Sequence, residues 1–225
     1  MKLNVILMMA GAVAAVAGCS KYRGKPAKIF PIELKAVALE SRGSVRLYTK
    51  SGEITDEGVI AEFINSEEGF NASFAPRPDD FMTFITDSTA QFGISAVLYR
   101  VSREGNTAVV FRSPFILGPY ARGEEPQKIL DTYRLSKHND PLQMFHSGGQ
   151  ISYKGEVVTY CSGTDRSFLF PVMIYKLSRR SGNSGQASIR VASGKLFNEF
   201  NKDFLATLGD RDTIAYQQSY VRYSK

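Results

Sequence analysis

Short runs of alternating apolar and polar residues fill most of the chain beyond residue 32. "ELKAVALES" (33–41) and "SVRLYTKSG" (44–52) flank a Ser-Arg-Gly turn. They are followed by "FMTFIT", "GISAVLYRVSREG", "NTAVVFRSPF", "EVVTYCS", "SFLFPVMIYKLS", "ASIRVAS" and "DTIAYQQSYVRY". Each is rich in β-branched or aromatic residues and bounded by Gly, Ser, Asn or Pro, the pattern of an all-β chain. In the last run Ile214, Tyr216 and Tyr220 share one face. "SFLFPVMIYKL" is apolar on both faces and predicts a central strand, with Pro171 marking a bulge or an unpaired edge position.

Two segments switch to helical spacing. "TDEGVIAEFINSEEG" (55–69) offers Thr55 or Asp56 as N-cap, acids in the first turn, apolar Val59, Ile60, Phe63 and Ile64, and Gly69 as a stop. "SGKLFNEFNKDFLATLG" (193–209) offers Ser193 as cap, a Phe197–Phe200–Phe204–Leu208 stripe and Gly209 at its end. These predict two short helices, with Phe200 and Phe204 packed on a sheet. "LYRVSREGN" (98–106) and "IYKLSRRSGN" (174–183) echo each other. Two hairpins with similar turn chemistry explain the echo more simply than a duplicated unit.

Residues 114–150 hold four prolines and both histidines, and predict a long loop. Long loops in compact domains tend to be binding loops or lids. Tyr120, Arg122, Tyr133, Arg134, His138 and His146 are its candidate binding residues. "QKILDTYRLS" within it predicts a short helix or strand.

The start of the chain differs in kind. Met1-Lys2 is followed by an apolar run from Val5 to Ala17, too short for the ~20 residues a spanning helix needs. A positive start, an apolar run of this length and small residues at its end describe a secretory signal peptide. Val16-Ala17-Gly18-Cys19 resembles the lipobox of bacterial lipoproteins, with Val16 standing where leucine is preferred. The resemblance implies that residues 1–18 are removed and that Cys19 becomes an acylated N-terminus. It further implies a lipid-anchored protein of the bacterial cell envelope, on the periplasmic face of the outer membrane. Residues 19–31, with Lys21, Arg23, Lys25 and Lys28, then form a basic linker able to lie against anionic headgroups.

Residues 32–225 are expected to form a single mainly β domain, an antiparallel barrel or curved sandwich. The order of many strands, a helix and a final strand resembles the lipocalin-type barrel, although no tryptophan is present for that family's first-strand signature. The 15 Phe and 11 Tyr supply the core. With Cys19 acylated, Cys161 is left without an intramolecular partner and reads as a buried strand residue. The net charge of +6 is modest for 225 residues, and in an exported protein it does not indicate a nucleic-acid footprint.

HExxH, GxSxG, Walker and paired CxxC motifs are absent from the sequence. Neither a cofactor site nor a metal site is assigned; His138 and His146 flank Asp140 without a complete ligand set. Asp79-Asp80 and "SRRSGNSGQ" (178–186) are taken as solvated turns. The reading is a non-catalytic envelope lipoprotein that binds a small ligand or a partner protein. The alternatives are a hydrolase with a site in 114–150, and a purely structural envelope protein.

Overall fold

A computed structural model describes residues 28–66, 70, 80–94, 97–124, 126–180, 187–194 and 199–225. The expected β architecture is present, and between barrel and sandwich the answer is a barrel. Its eight strands are β1 (Ile32–Arg42), β4 (Phe81–Thr86), β5 (Thr89–Phe92), β6 (Leu98–Glu104), β7 (Ala108–Ala121), β9 (Gln150–Thr164), β10 (Ser167–Arg180) and β12 (Thr213–Ser224). Each pairs antiparallel with the next in chain order, and β12 closes the circle by pairing with both β10 and β1. The remaining strands extend the sheet outward. β11 (Ala187–Gly194) adds to β10, β2 (Arg46–Thr49) adds to β12 and β3 (Gly52–Ile54) to β2, and β8 (Gln143–Ser147) adds to β9.

Side-chain alternation sets what the barrel encloses. Leu34, Phe84, Phe92, Phe111, Phe168, Phe170 and Tyr223 point inward and touch across the lumen. Phe92 meets Phe170 at 5.0 Å, Phe111 meets Phe168 at 5.4 Å, and Phe84 meets Phe111 at 5.9 Å between ring centroids. Aromatic side chains therefore fill the lumen. Cys161 is a free thiol buried among them, and burial pushes its pKa well up.

Beyond the barrel, β10 and β12 continue together as an open sheet. β9 leaves β10 after Leu169, and β11 joins it at Met173. Pro171 lies in the gap, paired with Tyr220 on β12 alone, so its missing N–H falls where no second neighbour needs it. On β12 the handover from β1 to β2 passes through Gly43. Its N–H donates to the Gln218 carbonyl at 2.8 Å, and a Cβ there would sit 2.9 Å from that oxygen.

Each face of the open sheet has its own cover. α1 (Glu57–Asn65) lies on the face continuous with the lumen, beside Leu47, Ile174 and Ala215. Asp56 caps it, accepting from Val59 N at 2.9 Å, as one of the two expected caps. The expected stop, Gly69, lies outside the described residues; the helix ends at Asn65 with Ser66 as C-cap. Lys176, fully buried beneath it, donates to the carbonyls of Phe63 (2.7 Å) and Ser66 (2.6 Å) and so satisfies the helix's last turn. The opposite face carries Met173, Tyr175, Leu177, Ile214 and Tyr216 under Leu135, Phe200, Phe204 and Leu208.

The expected helix over 193–209 is corrected. Ser193 belongs to β11, and among the described residues of that stretch the helix is a 3₁₀ turn at Lys202–Thr207, which joins α1 and α2 (Gln127–Arg134) as the third described helix. Phe200 is held extended by a bridge to Ser136, and Asn201 N donates to the Leu135 carbonyl at 2.8 Å. Phe200 and Phe204 are nonetheless core residues, as expected; Phe197 lies outside the described residues. The two echoing segments fall in the β6–β7 and β10–β11 hairpins, with the second tip outside the described residues.

Candidate functional site

The long loop expected over 114–150 is largely regular structure. β7 pairs with β6 only as far as Arg112, then runs on with β9 and β8 as a three-stranded ribbon beyond the barrel. α2 packs Leu130 against Ile151 and Tyr153 of this ribbon. The turn after α2 then patches the β9 edge. Asp140 N donates to the Glu156 carbonyl at 3.0 Å, and the Asn139 side chain accepts from Val158 N at 3.1 Å.

Tyr133 is the pin that holds this excursion down. Its ring lies 4.4 Å from that of Phe115, and its hydroxyl lies within donating distance of the Asp140 (2.9 Å) and Glu156 (2.8 Å) carbonyls. Gly155 makes room, since a Cβ there would come within 2.3 Å of the hydroxyl oxygen. Burial raises the phenol pKa to about 12, so it stays protonated and can donate.

The candidate binding residues do not form one cluster. Tyr133 is buried by its seating role, while Arg134 and Arg122 are exposed. Tyr120 on β7 and His146 on β8 are both opposite Ile151 of β9, so the sheet register brings these two into one row across the ribbon. His138 lies elsewhere, with Nε2 2.7 Å from Glu199 Oε2 and its ring 4.6 Å from that of Tyr160. Cys19 and the linker up to residue 27 lie outside the described residues.

The ribbon exposes large apolar side chains among polar ones, Ile116 and Phe145 on one face and Met144 on the other. All five residues of β8 are exposed, and among the described residues β8 is an edge strand paired with β9 alone. Ile116 is 68% exposed, Met144 52% and Phe145 42%. Register puts Ile116, Lys154 and Phe145 on one face, with Lys154 Nζ 4.8 Å above the Phe145 ring. An edge of this kind offers unpaired backbone groups and apolar side chains together, and natural edges usually carry charges or prolines that block such pairing. β8 carries neither.

Glu199 was not anticipated from sequence. It lines a groove of about 450 Å³ with Arg46, Lys202, Tyr216, Gln218 and Tyr220. Burial pushes its carboxyl up, but hydrogen bonds and charge from His138 and Lys137 outweigh this and hold it below the ordinary value. His138 is not among the groove-lining residues, so the pair turns its carboxylate and not its imidazole toward the groove. Phe200 and Tyr216, stacked at 3.9 Å, form its apolar wall. No spacing rule links Glu199 to His138; the Ser136–Phe200 bridge brings them together.

Two further polar groups tie elements together. Under α2, Asp131 accepts from Gln127 at 2.7 Å and lies 3.6 Å from Arg179, while Thr132 and Tyr175 share a 2.6 Å hydrogen bond. At the barrel end formed by the β6–β7 and β9–β10 turns, Lys28 pairs with Asp165 and lies 3.6 Å from Asp87. Arg103 Nη2 reaches both acids at 3.1 Å. A cavity of about 260 Å³ adjoins this network. Burial raises the Asp165 carboxyl, but Lys28 and Arg103 more than offset it and leave it below its usual value.

Among the described residues, no group of three His, Cys, Asp or Glu is placed to hold a metal, and no helix is long and apolar enough to cross a membrane. No known protein family, no curated protein and no solved structure matches the chain.

Proposed function

We propose that this chain is a lipid-anchored envelope lipoprotein whose β domain is a binding module, and that it engages a partner protein through the 114–150 excursion. The observation that carries the binding half is β8, an edge strand among the described residues, with Phe145 exposed on the face of Ile116 and Met144 exposed on the other face. A lumen filled by Phe84, Phe92, Phe111, Phe168 and Phe170 supports an external surface over an enclosed small-ligand cavity. The anchor half rests on the Val16-Ala17-Gly18-Cys19 ending of a short apolar leader. Two or more acyl chains hold a protein on a membrane stably, where one holds it only marginally.

Intact mass of the membrane-extracted protein tests the anchor. Loss of residues 1–18 with added acyl mass on Cys19 is expected; a chain starting elsewhere without lipid would refute it. Co-purification from detergent-solubilised membranes tests the surface, comparing the natural protein with a Phe145→Asp, Met144→Ser double variant. A specific partner lost from the variant, with the fold intact, is the expected outcome. Retention of every co-purifying protein places recognition elsewhere. Deleting residues 122–140 is a poorer test, because it removes Leu130, Tyr133 and Leu135 from the core.

A further inference from the structure

We infer that the partner engaged by the ribbon is a second copy of this chain, joined edge to edge through β8 about a two-fold axis at Phe145. The pairing rests on the binding surface proposed above and supplies its occupant.

Gly148 and Gly149, with φ of 56° and 79°, make a two-residue turn between Ser147 and Gln150. The pair flanking such a turn exchanges its backbone hydrogen bonds, and bonded and non-bonded pairs then alternate along the hairpin. Gln143, Phe145 and Ser147 therefore spend their N–H and C=O groups on β9. The same edge of β9 shows this phase further along. The Glu156 carbonyl accepts from Asp140 N and Val158 N donates to Asn139, so the even-numbered residues of β9 face this side. Met144 and His146 aim their backbone groups away from β9. Among the described residues β8 pairs with β9 alone, so nothing there takes those groups up.

These two residues match each other across a two-fold. With Phe145 opposite the second copy's Phe145, Met144 meets His146 and His146 meets Met144, and every outward N–H and C=O of both strands finds a partner. Moving the axis to Met144 or His146 sets the other residue opposite Leu142 or Gly148, beyond the ends of β8. Charge also favours the second copy. A two-fold brings a strand against its own sequence, so like charges on an edge strand repel its copy. The pairs formed here are Gln143 with Ser147, Met144 with His146, and Phe145 with Phe145. None sets like charges opposite each other, whether or not His146 carries a proton. Each chain has a net charge of +6, and a seam free of charge is where two copies can approach. Lys154, on the Phe145 face, lies 4.8 Å above the Phe145 ring of its own chain. The seam joins two three-stranded ribbons into one six-stranded sheet. Five residues a side cover less than the ~1,200 Å² of a stable interface, so the pair is reversible and depends on concentration.

The test uses the full-length protein in detergent, with the natural chain under the same oxidant as background. In the seam the two residues at 145 form a non-bonded pair with Cα atoms ~4.5 Å apart, inside the ~4.4–6.8 Å that a disulfide spans. The two residues at 144 lie two positions out of register, ~8 Å apart and beyond that span. Phe145→Cys should therefore yield a disulfide-linked dimer, and the comparably exposed Met144→Cys should stay at background; Cys161 is buried. Sedimentation of the natural chain should show a dimer that grows with concentration. His146→Pro should lose it, because the proline removes an N–H that the seam uses and β9 does not. Phe145→Lys, which sets two cations opposite each other at an exposed site, should lose it as well. Equal crosslinking at the two cysteine positions, or a dimer that survives both Phe145→Lys and His146→Pro, would overturn the seam. A monomer at every concentration would overturn self-pairing altogether. The surface proposed above would then stand, with another occupant, if a co-purifying protein is still lost from the Phe145→Asp, Met144→Ser variant.

Discussion

β7 and β9 run through two environments on one ladder that is unbroken from Ala108 to Leu117. At the barrel end, Val109, Phe111 and Cys161 are sealed in the lumen. A few residues along the same strand, Ile116 is 68% exposed. Backbone and alternation are the same; only the covering differs. In the barrel every strand has two neighbours and a shared interior. In the ribbon, α2 covers one face and leaves the other, together with the β8 edge, open. The sequence pattern reports that a residue is apolar and which face it takes, but not whether anything lies across from it.

The comparison breaks most visibly by truncation. Phe111→Ala should destabilise the domain by ~3–5 kcal/mol, the usual cost of emptying a buried aromatic site. Ile116→Ala should stay within ~0.5 kcal/mol, as for surface changes generally. Urea unfolding of both variants checks this, and a comparable loss at Ile116 would mean the ribbon face is covered in solution. Phe204→Ala belongs with Phe111, since that side chain is 2% exposed beneath the open sheet.

A smaller effect is expected at the ribbon's hinge. Gly155→Val would drive a side chain into Tyr133, and overpacking of this kind costs ~1–3 kcal/mol. Tyr133→Phe removes the hydroxyl alone and should cost ~1 kcal/mol. Hydrogen exchange should show the loss concentrated in residues 127–147, with the barrel strands still protected.

Acid should act at the Lys28–Asp165–Arg103 network. The Asp165 pKa is depressed in the fold, so its contribution is present above the unfolded value of ~3.9 and lost as pH falls through the folded one. Glu156, between Arg100 and Arg112, and Glu199, beside His138 and Lys137, carry depressed values too and add in the same direction. Melting temperature should therefore fall below about pH 4, and Asp165→Asn should flatten part of that fall. An acid profile identical in the variant would show that the network contributes nothing. The smallest effect on stability is at Phe145, where Phe145→Ser should leave unfolding within ~0.5 kcal/mol and change only partner capture.

Much of the architecture was legible because local rules and tertiary structure agree. The strand runs, the Asp56 cap and the burial of Cys161 and Phe204 all follow from short-range pattern. Pro171 announced a bulge or an unpaired edge position, and it sits at the change of neighbours on β10. The Phe200–Phe204–Leu208 spacing misled in one respect. Those side chains do share a face, but the Asn201 side chain accepts from Asp203 N, and the bridge to Ser136 holds Phe200 extended. The 114–150 excursion hid its order for another reason. Its strands and helix are short, and Tyr133, Gly155 and Asn139 fix it through contacts whose partners lie on β9. Glu199 was invisible because its meaning depends on His138, far away in sequence.

The barrel is sealed by its first strand and its last: Lys35 lies opposite Ser224, and β12 alone bridges β1, β2 and β10. For a chain that emerges N-terminus first, the sheet of earlier barrel strands must wait with raw edges at β1 and β10 until residues 213–224 arrive. Such long-range pairing is slow, and open edges invite both proteases and other nascent chains. This topology makes β12 a checkpoint on assembly. A premature stop near residue 210 would yield no smaller barrel, only an unclosed sheet for quality control to remove.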